Sequence, residues 1–174
     1  MRKIGIIAVL SLMVLALAAV PALAATTFNP AAAPTGTHLA TGSPSPTCSV
    51  SGGNVNCNSY TLAGVGNANA TATLNANYSA TVDCRNHGGQ IVESHSQTTT
   101  VSSSSGALQP KNGKLTVPSL KSTTPTNAQF QALATCPNPN WTAEVRPGTI
   151  ALSSFTYTLQ FAGFTGNFIT ITGP

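Results

Sequence analysis

Between Ala68 and Cys84 the chain alternates without a break. Ala68, Ala70, Ala72, Leu74, Ala76, Tyr78, Ala80, Val82 and Cys84 interleave with Asn69, Thr71, Thr73, Asn75, Asn77, Ser79, Thr81 and Asp83. A period of two puts every apolar residue on one face of a strand, whereas a helix would spread them round its circumference. The run exceeds the usual strand of about 5–6 residues, so it predicts one long bent strand or two joined by a bulge. Alanine dominates the apolar face, which implies that the opposing layer comes close.

Similar signals continue downstream. Arg85-Asn86-His87-Gly88-Gly89 is turn chemistry, and Gln90–Ser102 reads as a polar, Thr-rich return strand. Lys111-Asn112-Gly113-Lys114 predicts a type I′ hairpin turn between Ala107–Gln109 and Leu115–Val117, because Asn-Gly accepts positive φ at both central positions. Phe130, Ala132, Ala134 and Cys136 share one face of a further strand. Pro137–Asn140 turns the chain into Trp141, Ala143 and Val145, and Pro147-Gly148 breaks that strand before the last two, Ile150–Phe161 and Asn167–Thr172. No convincing helix is predicted after residue 24. The fold class expected is all-β: a single antiparallel β-sandwich of about nine strands, immunoglobulin-like or jelly-roll-like. Trp141 follows both Cys84 and Cys136, so the Cys-Trp-Cys order of an immunoglobulin domain is not met.

Three segments are expected. Met1, Arg2 and Lys3 precede an apolar run, and Pro21-Ala22-Leu23-Ala24 ends in the small-x-small pattern of a cleavage site, so residues 1–24 read as a signal peptide. The alternative, a retained membrane helix, is disfavoured by Pro21 and the Ala-x-Ala box; no stable membrane span is expected after cleavage. Residues 25–47 hold Pro30, Pro34, Pro44 and Pro46 without periodicity and read as a flexible Pro/Ala/Thr-rich leader. A strand donated to a neighbouring subunit is the alternative, against which the prolines argue, since each removes a ladder donor. Residues 48–174 form the disulfide-stapled domain.

Charge changes the picture by its scarcity. Without residues 1–24, five basic residues (Arg85, Lys111, Lys114, Lys121, Arg146) face three acidic ones (Asp83, Glu93, Glu144), leaving +2, and the basic residues are scattered. That excludes a nucleic-acid footprint, which needs clustered Lys and Arg. Only 6% of residues are charged, against about 25% in ordinary globular chains, so Ser, Thr and Asn carry the polar surface. Such a surface suits association with neutral polymers such as glycans, or with itself.

Four cysteines in an exported chain favour disulfides. Cys48 and Cys57 bracket a Ser-Gly-Gly-Asn turn and are placed to face each other across a hairpin; Cys84 and Cys136 each end an alternating segment and are paired on that ground. A zinc site is the competing reading, and no Cys-x-x-Cys or His-x-x-x-His spacing supports it.

The succession Cys84-Arg85-Asn86-His87-Gly88-Gly89, Lys111-Asn112-Gly113 and Cys136-Pro137-Asn138-Pro139-Asn140-Trp141 resembles small exported bacterial proteins of unknown function. These share a Cys-x-Asn-x-Gly-Gly, Lys-Asn-Gly, Cys-Pro-Asn-x-x-Trp order. The resemblance covers the chain from about Thr47 onward and implies the fold and the Cys84–Cys136 bridge, with no activity attached.

Two groups of residues are candidates for chemistry. Asp83, His87, Glu93 and His95 lie on or near one hairpin, where imidazole and carboxylate groups suit a divalent metal or the activation of a serine. The plainer reading makes them solvent-facing residues of a polar hairpin, and no Gly-x-Ser-x-Gly or His-Glu-x-x-His motif accompanies them. Phe155, Tyr157, Leu159 and Phe161 alternate on one strand, with Phe164 and Phe168 beyond. This row is either the core or, where Tyr157 and Phe164 reach solvent, a surface that stacks on sugar rings. No cofactor is implied. The expectation is a secreted, non-enzymatic envelope or matrix protein; a secreted metal-binding protein or hydrolase and a surface-fibre subunit are the alternatives.

Overall fold

A computed structural model describes residues 24–174. The segment expected to direct export, residues 1–24, lies outside the described residues except for Ala24. The described chain is nearly all β, in antiparallel sheets, with twelve strands where the alternation predicts about nine. Among the described residues no helix is long and apolar enough to cross a membrane.

The alternating segment forms one strand, β6 (Ala70–Arg85), around which the largest sheet is built. Its hairpin partner β7 (Ile91–Leu108) pairs along one edge for the whole length. The other edge of β6 is shared between β11 (Ala151–Phe161), paired with Ala70–Ser79, and β10 (Thr142–Val145), paired with Val82–Arg85. Beyond β11 lie β12 (Ile169–Gly173) and, at the far edge, β1 (Ala25–Phe28). Two small sheets complete the fold. One orders β2 (His38–Leu39), β5 (Tyr60–Ala63) and β8 (Lys114–Val117); the other orders β3 (Cys48–Ser51), β4 (Asn54–Cys57) and β9 (Leu120–Lys121).

All three sheets contribute to one core. The even-numbered residues of β6 are buried, and small residues there oppose large ones on β11: Ala72 faces Leu159 and Ala76 faces Phe155. Val55, Tyr60, Leu62, Leu115 and Val117 from the small sheets join the same cluster. Full burial of each large aliphatic or aromatic side chain contributes about 1.5–3 kcal/mol. Two hydroxyl contacts cross this core. The Tyr60 and Tyr157 hydroxyls meet at 2.8 Å, and Tyr78 Oη lies 2.7 Å from Ser122 Oγ. Ser122 Oγ also accepts the Val55 N–H at 2.9 Å, extending the β4–β9 ladder with a side chain.

Both disulfides form as expected, Cys48–Cys57 across the β3–β4 hairpin and Cys84–Cys136 from β6 to the loop before β10.

Three expectations are corrected. Residues 25–47 are not a loose leader: β1 pairs with β12 and β2 with β5. Pro30 and Pro34 fall between β1 and β2, and Pro44 and Pro46 between β2 and β3, and local side-chain bonds hold the remainder. Asn29 caps a short 3-10 turn, Pro30–Ala32, and Asn58 bonds Thr47 N and Ser45 O at 2.7 and 2.9 Å. The segment around Phe130 is a one-turn helix, α1 (Asn127–Gln131), because Thr126 and Gln129 form a reciprocal capping box. Finally, Asn112 and Gly113 adopt the positive φ angles of a type I′ turn, but only Lys111 and Lys114 bridge across it. The strands to either side part, Ala107 and Leu108 staying with β6 while β8 pairs with β5.

Candidate functional site

The turn between β6 and β7 is fastened by its own residues. Asn86 Oδ1 accepts the N–H groups of Gly88 and Gln90, both at 3.0 Å, and Arg85 donates to the Gly89 carbonyl at 2.8 Å. Asn138 repeats the device after Cys136, its Oδ1 accepting Asn140 N at 2.9 Å. Asn86 and Asn138, each two residues after a bridged cysteine, therefore serve the backbone.

Asp83, His87, Glu93 and His95 do not converge. Directly opposed residues of an antiparallel pair share a face; Asp83 opposes Ser94, whereas Glu93 and His95 oppose Cys84 and Val82 on the core-side face. His87 is exposed in the turn. Glu93 and His95 meet as a half-exposed pair at 3.3 Å. Among the described residues no group of three or more His, Cys, Asp or Glu side chains could hold a metal ion.

Asp83 has partners that its sequence neighbourhood does not show. Its carboxylate is buried and accepts two bonds from Arg146, at 2.8 and 3.2 Å, and one from Ser94 at 2.7 Å. These hydrogen bonds hold its carboxyl below the ordinary carboxylate range, Arg146 contributing most. Asp83 is thus a clasp joining β6 and β7 to the end of β10. Arg85 pairs with Glu144 beside it, so the ionisable groups of this region neutralise one another at one end of the sheet.

The rest of the sheet's outer face is uncharged. Ser104, Thr73, Thr158, Thr170 and Thr27 stand opposite one another across five strands, and Ser102, Asn75, Thr156 and Thr172 form the next row. Neighbours across the strands bond: Ser102 donates to Asn75 at 2.7 Å, and in the row beyond, Thr100 donates to Asn77 at 2.7 Å and Asn77 to Ser154 at 3.0 Å. The result is a continuous layer of hydroxyl and amide groups that both donate and accept hydrogen bonds.

The aromatic row splits. Phe155, Tyr157, Leu159 and Phe161 are buried, so Tyr157 is a core residue and not part of a ligand surface. Burial pushes its hydroxyl above the ordinary phenol range, and the same cause acts more strongly on Tyr60. Phe164 is half-buried, edge-on to Phe161 with ring centroids 6.4 Å apart. It borders an open cleft of about 370 Å³ together with Asn69, Thr71, Ala107 and Gln160. Thr71 and Gln160 oppose each other on β6 and β11, so the cleft continues the polar face at the end away from Asp83. None of its lining side chains ionises.

Comparison with protein-family models, curated proteins and solved structures found no match to this chain.

Proposed function

We propose that the chain is a secreted, non-catalytic β-sandwich protein of the bacterial cell envelope or extracellular matrix, binding neutral glycans along the outer face of its large sheet. The observation that carries this reading is the uncharged hydroxyl-and-amide face that ends in the Phe164 cleft. Sugar hydroxyls donate and accept hydrogen bonds, as Ser, Thr, Asn and Gln do. A half-exposed phenyl ring offers the flat apolar surface on which a pyranose packs. A cleft lined by no acid, base or thiol suits binding rather than turnover. Two disulfides agree with an oxidising compartment, as does the export signal read in residues 1–24. The sandwich arrangement is supported by the small sheets sharing the core of the large one, with hydroxyl contacts crossing between them.

Co-sedimentation of the disulfide-intact protein with insoluble cellulose, chitin and other uncharged polysaccharides tests the reading. Retention of the wild type on at least one polymer is expected, with Phe164→Ala weakening it about tenfold, or about 1.4 kcal/mol of lost stacking. Failure of every neutral polymer to retain the wild type, or unchanged retention of Phe164→Ala, would overturn it.

A further inference from the structure

The edge of the large sheet formed by β7 is long, and β7 spans Ile91–Leu108. Among the described residues β7 pairs with β6 alone, so alternate backbone N–H and C=O groups along its other side have no strand partner there. Which residues these are follows from β6. Thr81 accepts from Arg146 N at 2.8 Å on the β10 side, whereas Ala72 N donates to Ser105 Oγ at 2.9 Å on the β7 side. Even-numbered residues of β6 therefore bond toward β7, and Ala80, Tyr78, Ala76 and Leu74 exchange bonds with Gln97, Thr99, Val101 and Ser103. The intervening residues of β7, Ser94, Ser96, Thr98, Thr100, Ser102 and Ser104, point their backbone groups outward.

Natural sheets guard such an edge with lysine, proline or a covering loop. Ile91–Leu108 contains no Lys, Arg or Pro, and its one carboxylate, Glu93, sits near one end. The outward residues also read the same in both directions: Ser, Ser, Thr, then Thr, Ser, Ser. Antiparallel pairing of this run with itself about Thr99 sets Thr98 against Thr100, Ser96 against Ser102 and Ser94 against Ser104. Like hydroxyl pairs of this kind stabilise cross-strand contacts. The same register places Glu93 opposite Ser105 of the second copy, never opposite another Glu93.

We infer that β7 is the docking edge for a second copy of this chain, joined antiparallel about a two-fold axis at Thr99 into one continuous sheet. An isologous contact of this kind closes at two copies. The even-numbered side chains of β7 belong to the uncharged outer face, so the dimer presents that face twice. The inference is independent of the proposed ligand and is read from mass alone.

The test is sedimentation velocity of the disulfide-intact protein up to millimolar concentration, with two charge variants. Thr98→Lys/Thr100→Lys and Thr98→Glu/Thr100→Glu place like charges against each other across the axis. Both positions are exposed, so each variant is expected to keep the wild-type near-ultraviolet circular dichroism. The expected result is a wild-type dimer, two monomeric variants, and recovery of dimer mass when the variants are mixed in equal amounts. A monomeric wild type, a ladder of larger species, dimers that persist in both variants, or a mixture that stays monomeric would each overturn the inference.

Discussion

Ser122 is the most economical place to perturb the core, because one hydroxyl satisfies two buried groups. It accepts the Val55 N–H at 2.9 Å and lies 2.7 Å from Tyr78 Oη, and Val55 and Tyr78 are both fully buried. Tyr78→Phe removes one bond and the group that needs it, a loss of about 1 kcal/mol. Ser122→Ala instead leaves an amide and a phenol without partners in a region closed to water. Each orphaned group costs about 1–3 kcal/mol, so a destabilisation of about 3 kcal/mol is expected. In the double variant the orphaned phenol is gone, and the loss falls to about 2 kcal/mol, well short of the sum of the single losses. Urea unfolding with the disulfides intact measures this: the midpoint moves while the slope m stays constant. Equal shifts for Ser122→Ala and Tyr78→Phe, or strict additivity in the double variant, would refute the assignment of Ser122 as the shared partner.

Three further outcomes concern the buried ionisable groups and the two disulfides. Asp83 has a folded pKa below its ordinary 3.8, so the stability it contributes is present above that value and is lost as pH falls below it. Asp83→Asn should flatten this acid limb in thermal melts taken across the acid range. Tyr60 and Tyr157 shift the opposite way: their protonated forms are stabilised by folding, so stability holds below 10.0 and declines as pH rises above it. Alkaline titration followed by tyrosinate absorbance should show these two hydroxyls ionising only with unfolding. Replacing Cys84 and Cys136 by Ser opens a cross-link spanning 52 residues, an expected loss of about 4 kcal/mol by loop-closure entropy. The same change at Cys48 and Cys57, which span 9 residues, should cost about 2.5 kcal/mol in the same denaturant assay.

The parts of the fold legible in the sequence are those where periodicity and burial coincide. β6 shows its alternation because one face lies wholly in the core, and the Cys48–Cys57 hairpin shows because Gly52 and Gly53 accept the positive φ angles that its tight turn needs. β1 is hidden for a physical reason: it is a short edge strand, mostly exposed, and its alternation has little burial to report. The segment to Thr47 is held by Asn29 and Asn58 bonding to backbone, contacts that leave no period. α1 was legible in principle, since Thr126 and Gln129 have capping-box spacing, but the apolar alternation of Phe130, Ala132, Ala134 and Cys136 competes with it. At the site, the sequence brings Asp83 close to His87, Glu93 and His95. Pleating sends Asp83 to the opposite face, where its partner Arg146 comes from 63 residues along the chain. Phe164 was legible as an aromatic beyond the strand; its separation from the buried Tyr157 depends on where the sheet ends.

The neutrality of the outer face has an environmental consequence. Ionic strength weakens recognition in proportion to the charge that is brought together, with a screening length of about 10 Å at 0.1 M salt. A contact made through threonine, serine and asparagine has almost nothing for salt to screen and no group that titrates between acid and alkaline limits. Adhesion through that surface would hold equally in dilute and in brackish surroundings, and the conditions that end it are those that unfold the sheet.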